Sequence, residues 1–172
     1  MDPGKTTVKE SESHTILKNV SIFADIKDSE KALGVLSQIM KSKHFPKDHT
    51  LVEQGKAGDE FFVLVSGVVS IFKTTPEGDA YKVAVLKDTQ HPSFGEGGLM
   101  EGEVRSATIK CDMDVTCLVL SKGNFNSFCK EYPEFALPVF RRIAQGLMIR
   151  LNQTGNDLMM LHKALMEEIR NS

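Results

Sequence analysis

The chain has 172 residues, 41% hydrophobic and 26% charged, the make-up of one globular domain. A formal net charge of −2 argues against an extended nucleic-acid polymer as partner, because neutralising its backbone needs a basic face. Three cysteines without C-x-x-C spacing and five scattered histidines rule out a disulfide framework and the zinc motifs, so no metal and no cofactor is expected.

Residues 1–13 are polar and lack the apolar stretch of a signal peptide, which predicts a flexible tail. No run is long and apolar enough for a membrane span, so a cytoplasmic protein that does not engage membranes is expected. Residues 14–172 form the folded domain. Over 14–43 the apolar positions recur at helical spacing: Ile16, Leu17 and Val20, then Ala32, Leu33, Leu36, Ile39 and Met40, with Asp28 and Ser29 placed to cap the second run. At His44 the pattern changes. Over 44–129 short β-type runs follow at Thr50–Val52, Glu60–Phe72, Tyr81–Leu86, Ala107–Lys110 and Val115–Leu120. They are broken at Gly55, Gly58, Gly67, Pro76–Asp79 and Gly123–Asn124, the Pro76–Asp79 stretch reading as a hairpin tip. Short strands with close turns predict an antiparallel barrel or sandwich. Residues 130–172 return to a helical period. Taking Ala144, Leu151, Leu158 and Leu165 as a positions makes Phe140, Leu147, Thr154 and Leu161 the d positions, a seam that predicts a homodimer.

Within the β region, the segment 94–109 stands apart. Gly95, Gly97 and Gly98 allow a backbone to pass close to a ligand. A helical turn starting there aims free N–H groups at an anion. Glu96 offers a carboxylate acceptor, and Arg105, nine positions on, offers a guanidinium that suits phosphate oxygens. Together these match a ribose hydroxyl and a phosphate.

The same residues, Phe94-Gly95-Glu96-Gly97-Gly98-Leu99 followed by Arg105-Ser106-Ala107-Thr108, resemble the phosphate-binding cassette of cyclic-nucleotide-binding domains. Phe45–Gly55 and Gly58–Gly67 resemble the strand–turn–strand region of that family. The resemblance runs from about Leu17 to Leu165 and implies an α+β fold: an antiparallel β-barrel or jelly roll, a double-stranded β-helix, flanked by N-terminal helices and a long C-terminal helix. It implies that Phe94, Gly95, Glu96, Gly97, Gly98, Leu99, Arg105, Ser106 and Ala107 frame the ligand. Glu96 would take the ribose 2′-hydroxyl and Arg105 the cyclic phosphate. Amides near Gly97, Gly98 and Ser106 would complete the phosphate shell, and Val65, Val85 and Leu86 would flank the base. Thr154, on the long helix, would meet the adenine amino group as in catabolite-activator-like members. With Ser106 after the arginine, this makes cAMP the expected ligand and cGMP the other candidate. Departures from the family pattern are Gly97-Gly98 in place of a bulkier pair, Val104 before the arginine and Gly155 in place of a second hydroxyl residue.

No catalytic constellation appears. Ser127-x-x-Lys130 has no partner motifs and reads as a surface patch, and Met159-Met160 reads as core packing. The expectation is a non-enzymatic sensor without an output domain of its own, acting through an unidentified effector protein. The alternative is a fold that kept its shape without a ligand and serves as an interaction scaffold.

Overall fold

The computed structural model describes residues 8–100 and 104–171. Two four-stranded antiparallel sheets form a jelly-roll sandwich rather than a closed barrel. The strands are β1 (Lys41–Phe45), β2 (Thr50–Val52), β3 (Glu60–Ser66), β4 (Val68–Thr74), β5 (Ala80–Lys87), β6 (Ser93–Phe94), β7 (Thr108–Cys111) and β8 (Val115–Ser121). One sheet runs β1-β8-β3-β6 and the other β2-β7-β4-β5. The predicted run Glu60–Phe72 is two strands, because the chain turns at Gly67 and passes from one sheet to the other.

The near-continuous hydrophobic runs of β3 and β8 follow from burial on both faces. Phe62 and Leu64 of β3 and Cys117 and Val119 of β8 meet Val52, Val69, Ile109 and Cys111 of the opposite sheet. The alternate residues, Phe61, Val63, Leu118 and Leu120, face a second core built with helices α1 (Glu10–Lys18), α2 (Glu30–Ile39), α3 (Lys122–Glu131) and α4 (Pro133–Asn171). Period-two alternation thus divides the strands between two cores.

Several boundaries differ from the sequence reading. α1 begins at Glu10, inside the segment read as a tail, and both Val8 and Ser13 are buried; residues 1–7 lie outside the described residues. Ser29 caps α2 as expected, its hydroxyl accepting from the Ala32 N–H at 3.2 Å. β1 starts at Lys41, three residues before the predicted change. Its sequence KSKHF carries no apolar alternation because it is an edge strand with little burial. Gly123-Asn124, read as a turn, opens α3 instead: the Ser121 hydroxyl accepts from the Asn124 N–H, and Phe125 and Phe128 bury one face. The predicted hairpin tip is present, with Gly78 donating to the Thr75 carbonyl between β4 and β5.

α4 has 39 residues, with Pro133 at its start. Its first part packs on the body through Ala136, Val139 and Ile143. Arg142 donates to both carboxylate oxygens of Asp25 and fixes this part against the N-terminal elements. From Leu147 onward every described residue of α4 is exposed, Met159 and Met160 included, so that pair is not core. Among the described residues no helix is long and apolar enough to cross a membrane.

Candidate ligand-binding site

The cassette closes one end of the sandwich. β6 brings Phe94 into the inter-sheet core, where its ring stacks on Phe62 at 5.3 Å. The chain then reverses at Gly95, whose φ of +82° is a left-handed conformation that suits glycine. A 3₁₀ turn follows over Glu96–Leu99, closed by the Gly98 N–H on the Gly95 carbonyl at 2.9 Å. The Gly98 amide is therefore used within the turn rather than left for a phosphate. Glu101, Gly102 and Glu103, also within the segment read as a cassette, lie outside the described residues. The chain resumes at Val104, bridged to Ala57, and Arg105 is tied to the preceding loop by its N–H on the Lys56 carbonyl.

Arg105 is the centre of the site. Its side chain is 9% exposed and donates to the carbonyls of Gly95 at 3.0 Å and Glu60 at 2.6 Å. Three glycines, Gly58, Gly95 and Gly98, make room for it. A Cβ on Gly58 would stand 2.7 Å from Nη2, and one on Gly98 would stand 2.6 Å from Nη1. Burial pushes the guanidinium below the usual arginine value, while the charges of Asp59, Glu60 and Glu96 act against that shift. A guanidinium has five N–H donors and remains a cation in proteins. With two bonds made to carbonyls, donors remain for an anion.

Beside it opens a cavity of about 380 Å³, a size typical of small-molecule sites. Of the residues predicted to frame the ligand, Phe94, Gly95, Glu96, Gly97, Arg105, Ser106 and Ala107 line it. Three do not. Gly98 backs the Arg105 guanidinium, Leu99 is buried in the helical core, and Thr154 is exposed on α4 with its hydroxyl on the Arg150 carbonyl. Leu86 lines the cavity as expected, but Val85 is 45% exposed and Val65 packs against the helical core.

Sequence reasoning missed Val52, Ile71, Ser93 and Ile109 of the lining, and with them two charged side chains. Arg150 of α4 points its guanidinium at Glu96, with Nη2 3.6 Å from Oε1, while the Glu96 side chain is 14% exposed. Lys73 of β4 lies on the same wall as Ile71. Neither belongs to a local motif; the fold brings them in from a distant helix and a neighbouring strand. The site is therefore a pocket with an apolar strip, a buried guanidinium, a carboxylate and two further cations. That combination fits a small organic anion bearing a hydroxyl.

The comparisons agree with this geometry. A family model described as the cyclic nucleotide-binding domain matches residues 42–132, more than half of the chain. A cGMP-dependent protein kinase of Drosophila melanogaster is 28% identical over 130 residues, 74% of this chain and 14% of that protein. A CRP-like cAMP-activated global transcriptional regulator of Mycobacterium tuberculosis is 24% identical over 143 residues, 83% of this chain and 60% of that protein. The chain thus spans only part of the curated relatives it matches. In structure, it superimposes on a cyclic nucleotide-binding domain from Methylobacillus flagellatus with a TM-score of 0.71 at 21% identity, covering 87% of this chain and 82% of that one. Motif, cavity and family match converge: the chain belongs to the cyclic nucleotide-binding domain family.

Proposed function

We propose that this domain is a sensor of a cyclic purine mononucleotide and that it reports occupancy through α4 to an effector protein. The observation that carries this reading is the buried Arg105, held in place by two backbone carbonyls at the edge of a cavity that also presents Glu96. The cyclic phosphate takes the remaining Arg105 donors, and Glu96 accepts the ribose 2′-hydroxyl. The reading assigns no chemical step.

The route to α4 runs through Glu96. In the structure this carboxylate faces Arg150. A ribose hydroxyl on Glu96 changes what Arg150 can bond, so ligand alters the free energy of α4 at that turn and shifts its population of positions. This replaces the expected contact from Thr154, which does not line the cavity. cAMP and cGMP are both tested on this reading; Ser106 is what remains of the pointer to cAMP.

Calorimetry on the purified chain with cAMP and with cGMP tests it. Saturable heat with either nucleotide is the expected result. No heat and no thermal shift at millimolar concentrations of both would overturn the sensor reading in favour of an interaction scaffold.

A further inference from the structure

Strand register puts Lys73 at the cassette side of the cavity. β4 and β7 pair with Ile71 opposite Ile109 and Phe72 opposite Thr108, so one further step sets Lys73 opposite Ala107. Alternation along β4 places Lys73 on the same face as Ile71, and both line the cavity together with Arg105 and Ala107. The turn at 54–56 ties the end of β4 to the Arg105 segment. The Gln54 side-chain amide bonds both the N–H and the carbonyl of Thr74, and the Gln54 backbone N–H donates to the Thr108 hydroxyl at 3.0 Å. The Gly55 N–H donates to the Arg105 carbonyl at 2.8 Å. The charges at this corner do not balance. Among the described residues the Lys73 ammonium has neither a hydrogen bond nor an ion pair. The only carboxylate among the described lining residues is Glu96, which faces Arg150. Asp59 and Glu60, whose charges act on Arg105, line a neighbouring cavity rather than this one. Arg105 and Lys73 thus border one cavity with no fixed anion assigned to the lysine.

We propose that Lys73 is a second cationic contact for the ligand's phosphate, reaching it from β4 while Arg105 reaches it from the cassette. The inference rests on the cyclic-nucleotide reading above and adds to it a residue outside the cassette motif. Two cations at one cavity repel each other, and an anion between them offsets that repulsion. An ammonium binds phosphate as a point charge on a flexible stem, without the planar fork of a guanidinium. Lys73 therefore recognises charge and not a particular base, and it acts alike on cAMP and cGMP. Because Lys73 is exposed, its contribution is small and screened by salt, unlike that of the buried Arg105.

Calorimetry on the whole chain with cAMP and with cGMP, at low and at high salt, tests this. Lys73→Met keeps the aliphatic stem and removes the charge. At low salt it is expected to weaken both nucleotides by the same factor, about fivefold, and at about 0.5 M salt by less than about twofold. Lys73→Gln, which removes the same charge, is expected to repeat that result, and Lys73→Arg to bind as the parent does. Lys110 supplies the control: it sits on the other face of β7, over the Phe72 ring, so Lys110→Met is expected to leave affinity unchanged. A loss confined to one nucleotide in Lys73→Met would overturn the proposal, since the lysine would then act on the base. So would a loss that is the same at both salt concentrations, which assigns the effect to a neutral contact. Unchanged binding overturns it as well, and so does an equal loss in Lys110→Met, because the effect then belongs to the overall surface charge. A parent protein that binds neither nucleotide fails earlier and sinks the sensor reading itself.

Discussion

Arg105 is held in place by carbonyls that cannot rotate away and by three glycines that leave it space. Removing it should leave the sandwich intact, since its side-chain bonds go only to the Gly95 carbonyl in the cassette turn and to the Glu60 carbonyl at the first residue of β3. Arg105→Ala is expected to weaken nucleotide binding about 30-fold or more, as is usual for a charged partner in a desolvated site. Glu96→Ala should cost less, its partner being a neutral hydroxyl. Titration of both variants, with a circular dichroism spectrum matching the parent, checks this. Gly58→Ala is a sharper probe: the three atoms nearest its new Cβ all belong to Arg105. The methyl group should push the guanidinium aside and reduce affinity by about tenfold, and parent-like binding would show that Arg105 works from elsewhere. The two buried thiols yield a pH prediction. Burial raises Cys111 to about 11 and Cys117 to about 12, from 9.0. Between those values the unfolded chain releases protons that the folded one keeps, so stability declines as pH rises through that window. Urea unfolding at pH 7 and pH 10 should show Cys117→Ala losing less stability across the interval than the parent. At this scale the sequence was readable where chemistry is local: Glu96 and Arg105 sit in one motif. Leu86 and Val85 show the limit. They are adjacent in sequence, but Leu86 pairs with Val69 and packs against the inter-sheet core, while Val85 points to the other side of its strand and is largely exposed. Register decides between them, and register is a property of the folded sheet.

Elements were legible where periodicity was strong and obscure where tertiary contacts overrode it. α2 and α4 announce themselves by apolar spacing, and β3 and β8 by dense hydrophobic runs. β1 escapes because an edge strand needs no apolar face, and α3 escapes because a capping serine before Gly123-Asn124 resembles a turn. The contact on which the proposed coupling rests is also tertiary. Arg150 and Glu96 are far apart in sequence and meet only because the Arg142–Asp25 pair and the buried first turns set the direction of α4. Arg150 is therefore expected to act as a positioning residue that couples the cassette to the helix. Hydrogen exchange should show slower exchange around residues 143–154 of the parent when nucleotide is added, and Arg150→Ala should abolish that difference while still binding ligand. If the variant keeps the same ligand-dependent protection, the coupling runs by another route.

For the molecule as a whole, the unusual feature is how much apolar surface α4 carries into solvent. Leu147, Leu151, Leu158, Leu161 and Leu165 are each at least 50% exposed. An isolated helix of this kind is unfavourable, since contiguous apolar patches on soluble domains mark surfaces that another molecule covers. The stripe does not fold back on its own sandwich, because every described residue from Leu147 onward is exposed. A second copy of the same helix fits it: a and d positions alternate at spacings of three and four, the pattern of a coiled-coil seam. Thr154 at a d position and Gly155 beside it weaken that seam, glycine by about 1 kcal/mol in helix propensity. On the proposed sensor reading, a weakened seam would let the paired helices reposition when ligand binds. Met159 and Met160 lie off the seam and stay exposed in such a dimer, leaving an adaptable surface for an effector. Sedimentation equilibrium at tens of micromolar is expected to give a dimer, and Leu151→Glu with Leu158→Glu is expected to give a monomer, two charges in an apolar seam being strongly unfavourable. Because the cassette lies on the sandwich, the monomeric variant should retain nucleotide affinity within about threefold. A parent chain that sediments as a monomer would remove self-association from this reading and leave the exposed stripe to a different protein.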